Sequence, residues 1–500
     1  MDENQEREDT SPSIDVTQQK NLRPSQLLGY TAYTFFAGLG ANTWSFRNMY
    51  YALIGMDLNL LTTVGLVCGL FDLPFTTVIG GVIEKVRLKI GGGGKYRPWL
   101  HIFTAVLSFG IIITFTDFIP GNEALHFTTA LVGLVCVAFS MTVVANSQFG
   151  IIPLMAGAST VDRTRITTWN YRTQAVTSIC TSMTSAYILT WFGTKFALPV
   201  NYTVMALCFG GFYIIGGQIL RRTAKPFDLP EQSTPGGPER PKVKAIDMVR
   251  AVTGNSQLLI YLSANMLNQL GTMTNMNMII YFWQMIIPYT HGIAPSASFP
   301  AMYTITQTVG TLCTLAFSMV GPEVGKRLGK KKALWIGMLG STLSGVLNYF
   351  FGASYWLRFM AFTLIITLSN SLWTGFGINY ALDCGEYGYW KTGQDNRLVV
   401  MSMNNVPSKI AGIVGGALMY ALAAIGFDSA QVKAAAGGIP AFVNDTFVRK
   451  FMFLMVGLAA ICRFCAFLLI RFGYKITDED AKMYAAENQA RKEAAEAAAA

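Results

Sequence analysis

Long apolar runs, each of about twenty residues, alternate along this chain with short polar breaks rich in glycine, proline and charge. Runs of that length suit helices that cross a hydrocarbon core about 30 Å thick. The pattern predicts twelve spans, at roughly 28–52, 60–83, 98–119, 127–155, 173–193, 199–220, 258–288, 299–320, 333–351, 356–382, 399–425 and 450–472. The longest break, 221–257, contains Glu231-Gln-Ser-Thr-Pro-Gly-Gly-Pro-Glu-Arg-Pro241, which can neither hold a helix nor bury a core. The expected fold is therefore an all-α membrane protein of twelve transmembrane helices. Two six-helix halves, 28–220 and 258–472, are joined by a cytosolic linker. Transporters commonly place related halves around a site at the bilayer midplane.

The ends read differently. Residues 1–27 are polar and acidic with no apolar signal region, which predicts a disordered cytosolic tail. Residues 473–500 form a second cytosolic tail, in which Thr477 precedes Asp478-Glu-Asp480 and an alanine-rich charged run. That pattern predicts a capped, solvated helix.

Composition agrees with a membrane protein. The chain has 500 residues, 52% hydrophobic and 13% charged, against about 25% charged in soluble domains. Its mean hydropathy is +0.38. The net charge of +10 follows from basic loops on one side of the expected membrane. Lys85, Arg87, Lys89, Lys95 and Arg97 lie between the second and third spans; Lys326, Arg327, Lys330, Lys331 and Lys332 lie between the eighth and ninth. The opposite loops are nearly bare, so both termini are expected in the cytoplasm of a multi-pass cell-membrane protein. The basic charge needs no nucleic-acid partner. The two basic turns, Gly91–Arg97 and Gly325–Lys332, also echo each other weakly.

Enzymatic chemistry finds little support. The glycine run 91–94 fails as a phosphate loop, because Tyr96 follows Lys95 and position 89 is Lys. The eight cysteines are scattered through the spans, and Cys462-x-x-Cys465 has no histidine nearby. With three histidines in the chain, no cofactor or metal is expected. The expected partners are a small-molecule substrate, a coupling cation (H+ or Na+) and the lipid bilayer around a monomer.

Charge within the spans marks candidate chemistry. A charged side chain at bilayer depth is disfavoured by about 2.5–3.5 kcal/mol, so it persists where it faces a cavity or a partner. Asp72 lies in the second span beside Pro74, with Thr76 one turn further on the same face. The pair suits a proton carrier, a cation ligand or an acceptor for sugar hydroxyls; a structural bond of Asp72 to Arg47, or to an Asn on a neighbouring helix, is the alternative. Lys409 is a cation inside another apolar stretch. Asn146, Gln148 and Arg172 offer hydrogen bonds to hydroxyls or a carboxylate, and Trp44 offers a face for a sugar ring. In the seventh span Asn265, Asn268, Thr272 and Asn275 share one stripe, which either lines a path or joins helices. Trp373 and Asn370 are similar. Asp162, Arg165, Asp383, Glu386, Lys391 and Arg397 read as cytoplasmic gate or topology charges.

At these residues the chain resembles the glycoside–pentoside–hexuronide:cation symporters, the branch of the major facilitator superfamily that includes melibiose permeases. The resemblance covers most of 28–472. Its anchors are Asp72 with Gly80-Gly81, Gly94-Lys-Tyr-Arg-Pro98-Trp99, Pro153 with Asp162-x-x-Arg165 and Arg172, and Asp383-x-x-Glu386-Tyr387 with Lys391, Gly393, Arg397 and Lys409. It implies a major facilitator fold, Asp72 as the cation-linked aspartate, Lys409 as the lysine near it, and Arg172 as a sugar-side arginine. Thr76 stands where the family has a second aspartate, Gly38 where it grips a galactoside, and Ala145 or Asn146 at a further acidic position. One carboxylate beside a lysine favours protons over sodium. Fewer acidic grips suit a hexuronide or sulfonated sugar read by Arg172 and Lys409. A lysolipid-type carrier and a non-transporting solute sensor are the alternatives.

Overall fold

Each predicted span overlaps a helix. The computed structural model describes residues 22–86, 88, 90, 93–119, 122–156, 160–229, 253–295, 299–393, 400, 403, 406–435 and 437–499. The helices are α1 (Pro24–Trp44), α2 (Leu58–Lys85), α3 (Arg97–Thr114), α4 (Glu123–Ala156), α5 (Thr160–Lys195) and α6 (Val200–Thr223). They continue as α7 (Ser256–Tyr281), α8 (Thr304–Leu328), α9 (Lys330–Phe351), α10 (Trp356–Thr392) and α11 (Val406–Ala424). The last are α12 (Asp445–Gly473) and α13 (Asp478–Ala499). By length and apolar composition alone, seven helices among the described residues qualify as crossings: α2, α3, α4, α6, α9, α11 and α12. That is fewer than the twelve expected. Of the others, α5, α7 and α10 carry the polar stripe and charges noted above, which lower their hydropathy.

Local chemistry sets the boundaries. Pro24 opens α1 four residues before the expected start, because a first-turn position forgives its missing N–H. The first span is not one helix: it breaks at Ser45–Phe46 and resumes as a short helix, Arg47–Leu53. Asp57 and Asn255 cap α2 and α7, accepting from Asn59 N and Leu258 N at 2.9 and 3.0 Å. Gly393, in the left-handed region at φ 69°, ends α10.

Helix pairing repeats with a shift of six positions along the chain. α1 packs on α5 and α6, α3 on α4 and α6, and α2 on α4. α7 packs correspondingly on α11 and α12, α9 on α10 and α12, and α8 on α10. Between the two groups run α2 against α11 and α5 against α8. Large exposed apolar side chains such as Phe71, Phe350 and Phe472, 63%, 66% and 69% exposed, suit lipid rather than water.

The apolar core is asymmetric end to end. At the end where α1 and α7 finish, one cluster joins both groups, including Phe46, Tyr202, Phe282, Trp283, Phe299 and Phe451. The Phe46 and Phe299 rings meet edge to face across the boundary at 6.3 Å. At the opposite end the groups keep separate clusters, one around Tyr30, Leu100 and Ile166, the other around Leu258, Leu334 and Tyr474. The molecule is thus packed shut at one end and divided at the other.

The two basic turns serve one purpose. Asp228, just beyond α6, accepts the amides of Lys95, Tyr96 and Arg97 at 2.6, 2.8 and 2.9 Å, and so caps α3. Gly94 stands there at φ 100°, and a Cβ would come within 2.8 Å of the Asp228 side chain. Asp478, just beyond α12, accepts Lys330 N at 3.1 Å and caps α9.

Candidate functional site

A cavity of about 890 Å³ lies between α1, α2, α4, α7 and α11. Among the described residues its lining holds three charges: Arg47, Asp72 and Lys409. Lys409 Nζ donates to Asp72 Oδ2 at 2.9 Å, so α2 and α11 are joined by an ion pair. The other carboxylate oxygen accepts Thr142 Oγ1 of α4 at 2.5 Å. Thr76 donates to the Asp72 carbonyl at 2.7 Å and accepts from Lys409. The two side chains are 20% and 28% exposed, shielded but in reach of the cavity. Pairing offsets much of the penalty each charge would meet alone in the bilayer.

Other predicted residues separate into two groups. Asn146 and Trp44 line the same cavity, with Asn146 donating to the Thr142 carbonyl at 2.9 Å. Gln148, Arg172, Asn268 and Trp373 are outside its lining. Gln148 donates to Thr34 Oγ1 at 3.3 Å, tying α4 to α1. Arg172 is exposed on α5 and lies over the Trp169 ring at 5.7 Å. Asn268 donates to Asn370 Oδ1 at 3.0 Å, and Trp373 Nε1 to Asn265 Oδ1 at 3.2 Å, joining α7 to α10. Arg172 is therefore exposed and outside the lining that Lys409 shares, so the two cations do not meet in this cavity.

The remaining charges gather at the divided end. Asp162 is fully buried, accepting Arg165 Nη1 at 2.6 Å and Leu22 N at 2.9 Å. Asp383 accepts Lys330 Nζ at 2.9 Å, with Asp478 also 3.6 Å from that ammonium. Burial pushes the Asp383 carboxyl above its ordinary value, and Lys330 only partly opposes this. Glu386 accepts Asn488 Nδ2 at 2.7 Å and Lys391 lies over Tyr387. Arg397 lies outside the described residues. Helix α13 is the partner of this group rather than the free, solvated helix expected: Trp390 Nε1 donates to Glu487 at 2.7 Å and packs on Tyr484.

Thr142 is the site residue that sequence reasoning missed. Its signal was a hydroxyl one turn before Asn146, a spacing shared with many helix-internal threonines that bond only their own backbone.

A cavity between two six-helix groups, closed at one end and holding an ion pair across their boundary, defines a membrane transporter of the major facilitator type. The chain belongs to the MFS/sugar transport protein family, which matches residues 26–478. These families transport rather than catalyse, so the protein is not an enzyme. An uncharacterised symporter of Bacillus subtilis (strain 168) is 23% identical over 85% of this chain and 86% of its own length. A candidate sulfoquinovose importer of Escherichia coli (strain K12) is 22% identical over 65% of each. Lactose permease of Leuconostoc lactis is 21% identical over 78% of this chain and 59% of the permease. The nucleoside transporter NupG superposes with a TM-score of 0.60 at 13% identity, over 90% of this chain and all of that one. A D-xylose–proton symporter gives 0.52 at 12% identity, over 86% and 95%.

Proposed function

We propose that this protein is a secondary active transporter that couples cation entry, by H+, to movement of a sugar or sugar derivative by alternating access. The observation that carries the reading is the Asp72–Lys409 pair, which bridges α2 and α11 while lining the shared cavity. Protonating Asp72 cancels its attraction for Lys409 and weakens the hold between the two groups. Loading a proton therefore changes the balance between conformations, which is what coupling requires. Thr76 in place of a second carboxylate supports the proton over sodium, since a sodium cage wants more oxygen charge than one aspartate supplies. The lactose permease and sulfoquinovose importer relatives support a sugar-class substrate. The reading places the protein in the cell membrane with both termini cytoplasmic and the divided end facing inward, as the basic loops suggest.

The test is uptake into proteoliposomes under an imposed pH or sodium gradient, using labelled lactose, glucuronate and a 6-sulfonated hexose. Wild type is expected to accumulate at least one of them under a pH gradient, and Asp72→Asn to lose accumulation while retaining exchange. Undiminished concentrative uptake by Asp72→Asn would remove the assignment. Accumulation driven by sodium at fixed pH would replace the proton.

A further inference from the structure

The cavity carries one positive charge more than it neutralises. Asp72 and Lys409 compensate each other at 2.9 Å, whereas Arg47 has no acidic partner among the described residues. The break in α1 at Ser45–Phe46 places Arg47 at the closed end of the cavity, where the aromatic cluster begins. Its guanidinium lies over the Trp44 ring at 4.5 Å, and its Nε donates to Asn48 Oδ1 at 3.2 Å. The two terminal nitrogens make no hydrogen bond among the described residues. Around it stand hydroxyls rather than carboxylates: Tyr51 and Tyr281 are within electrostatic reach, and the buried Tyr281 hydroxyl also has no hydrogen-bond partner there.

A guanidinium fixed by stacking and by one Nε bond presents its remaining edge in a set direction. That edge is a fork matched to two oxygens of a carboxylate or sulfonate. An uncompensated cation at this depth is disfavoured unless a partner arrives. We infer that Arg47 is the anion subsite of the cavity, and that the transported sugar carries a carboxylate or sulfonate that docks on its free edge. This rests on the transporter reading above and adds the charge class of the substrate and the residue that selects it. Arg47 replaces Arg172 and Lys409 as the reader of that charge, since Lys409 is engaged by Asp72 and Arg172 is outside the lining. The hydroxyls of the sugar then fall toward Asn146 and Asn277, which line the same space.

The experiment is binding to purified detergent-solubilised protein of three probes: a 6-sulfonated hexose, a hexuronate and the uncharged parent hexose. Wild type is expected to bind one of the anionic probes at least about tenfold more tightly than the hexose, as befits a charge-assisted bond. Arg47→Gln should abolish that preference, and Arg47→Lys should keep part of it without the fork. Equal or tighter binding of the uncharged hexose by wild type overturns the inference without needing any variant. So does failure to bind either anion, or an anion preference that survives in a folded Arg47→Gln protein. Arg47→Gln separates the two readings, because it leaves the Asp72–Lys409 pair intact: the anion preference should go while a pH gradient still drives uptake of whatever sugar remains bound. Loss of the anion subsite with intact proton-driven uptake would leave the symporter standing.

Discussion

At the scale of single residues the balance rests on Asp72, Lys409 and Thr142. Removing one member of a shielded pair leaves the other without compensation, which is worse than removing both. Lys409→Ala is therefore expected to lower the thermal stability of the purified protein, and Asp72→Asn combined with Lys409→Ala to recover most of the loss. A double variant no better than the single one would show that the two charges do not interact in the folded protein. Thr142→Val removes the second donor to the carboxylate and is expected to slow uptake by about tenfold without lowering protein yield, the size of one hydrogen bond to a charge. Uptake at the wild-type rate would show that this hydroxyl serves only its own helix. The charges were legible in sequence because membrane insertion penalises them individually. What they touch was not: Asp72 and Lys409 are separated by 337 positions, and no periodicity reports that distance. Arg172, which the resemblance set on the sugar side, lies outside the lining of this cavity for a related reason. Sequence fixes a residue's place on its helix but not which neighbour that face meets.

At the scale of elements, apolar run length located the helices, and turn chemistry located their ends only in part. The Thr477 cap was readable, since its amide and hydroxyl meet Asp480 Oδ2 at 3.0 and 2.8 Å, and Asp480 N returns to Thr477 Oγ1 at 3.1 Å. Those bonds hold the Asp480 carboxyl below its ordinary 3.8. The cap's contribution is present above that value and lost as pH falls through the lowered one. The break in α1 and the role of the basic turns were not readable, because their partners lie far along the chain. Asp228 is 133 positions from Lys95, inside the break that composition marked as linker. Asp228→Ala leaves three backbone amides without this acceptor and is expected to destabilise by about 1–3 kcal/mol. Asp478 receives one amide and its side chain is 39% exposed, so Asp478→Ala should lower Tm distinctly less. Equal losses would mean that the two caps carry the same load and that burial does not grade them.

At the scale of the whole molecule, the pairing of α2 with α11 and α5 with α8 leaves few elements holding the two groups together. The aromatic cluster at the closed end is the largest remaining obstacle to their reorientation. Alternating access requires this cluster to part, with Phe46 and Phe299 withdrawing from one another, while the divided end comes together. A tether between those two positions should therefore stop turnover without disturbing the cavity. With the native cysteines replaced by serine, Phe46→Cys and Phe299→Cys are joined by a short bis-methanethiosulfonate reagent. Joined protein is expected to lose at least about tenfold in uptake, since only untethered molecules can populate the opposite state. Binding measured from the divided end should persist, and a thiol reductant should restore transport. Full uptake by quantitatively joined protein would mean that the two groups exchange access without opening at this contact. The closed aromatic end would then be a fixed hinge, and the moving gate would have to lie elsewhere.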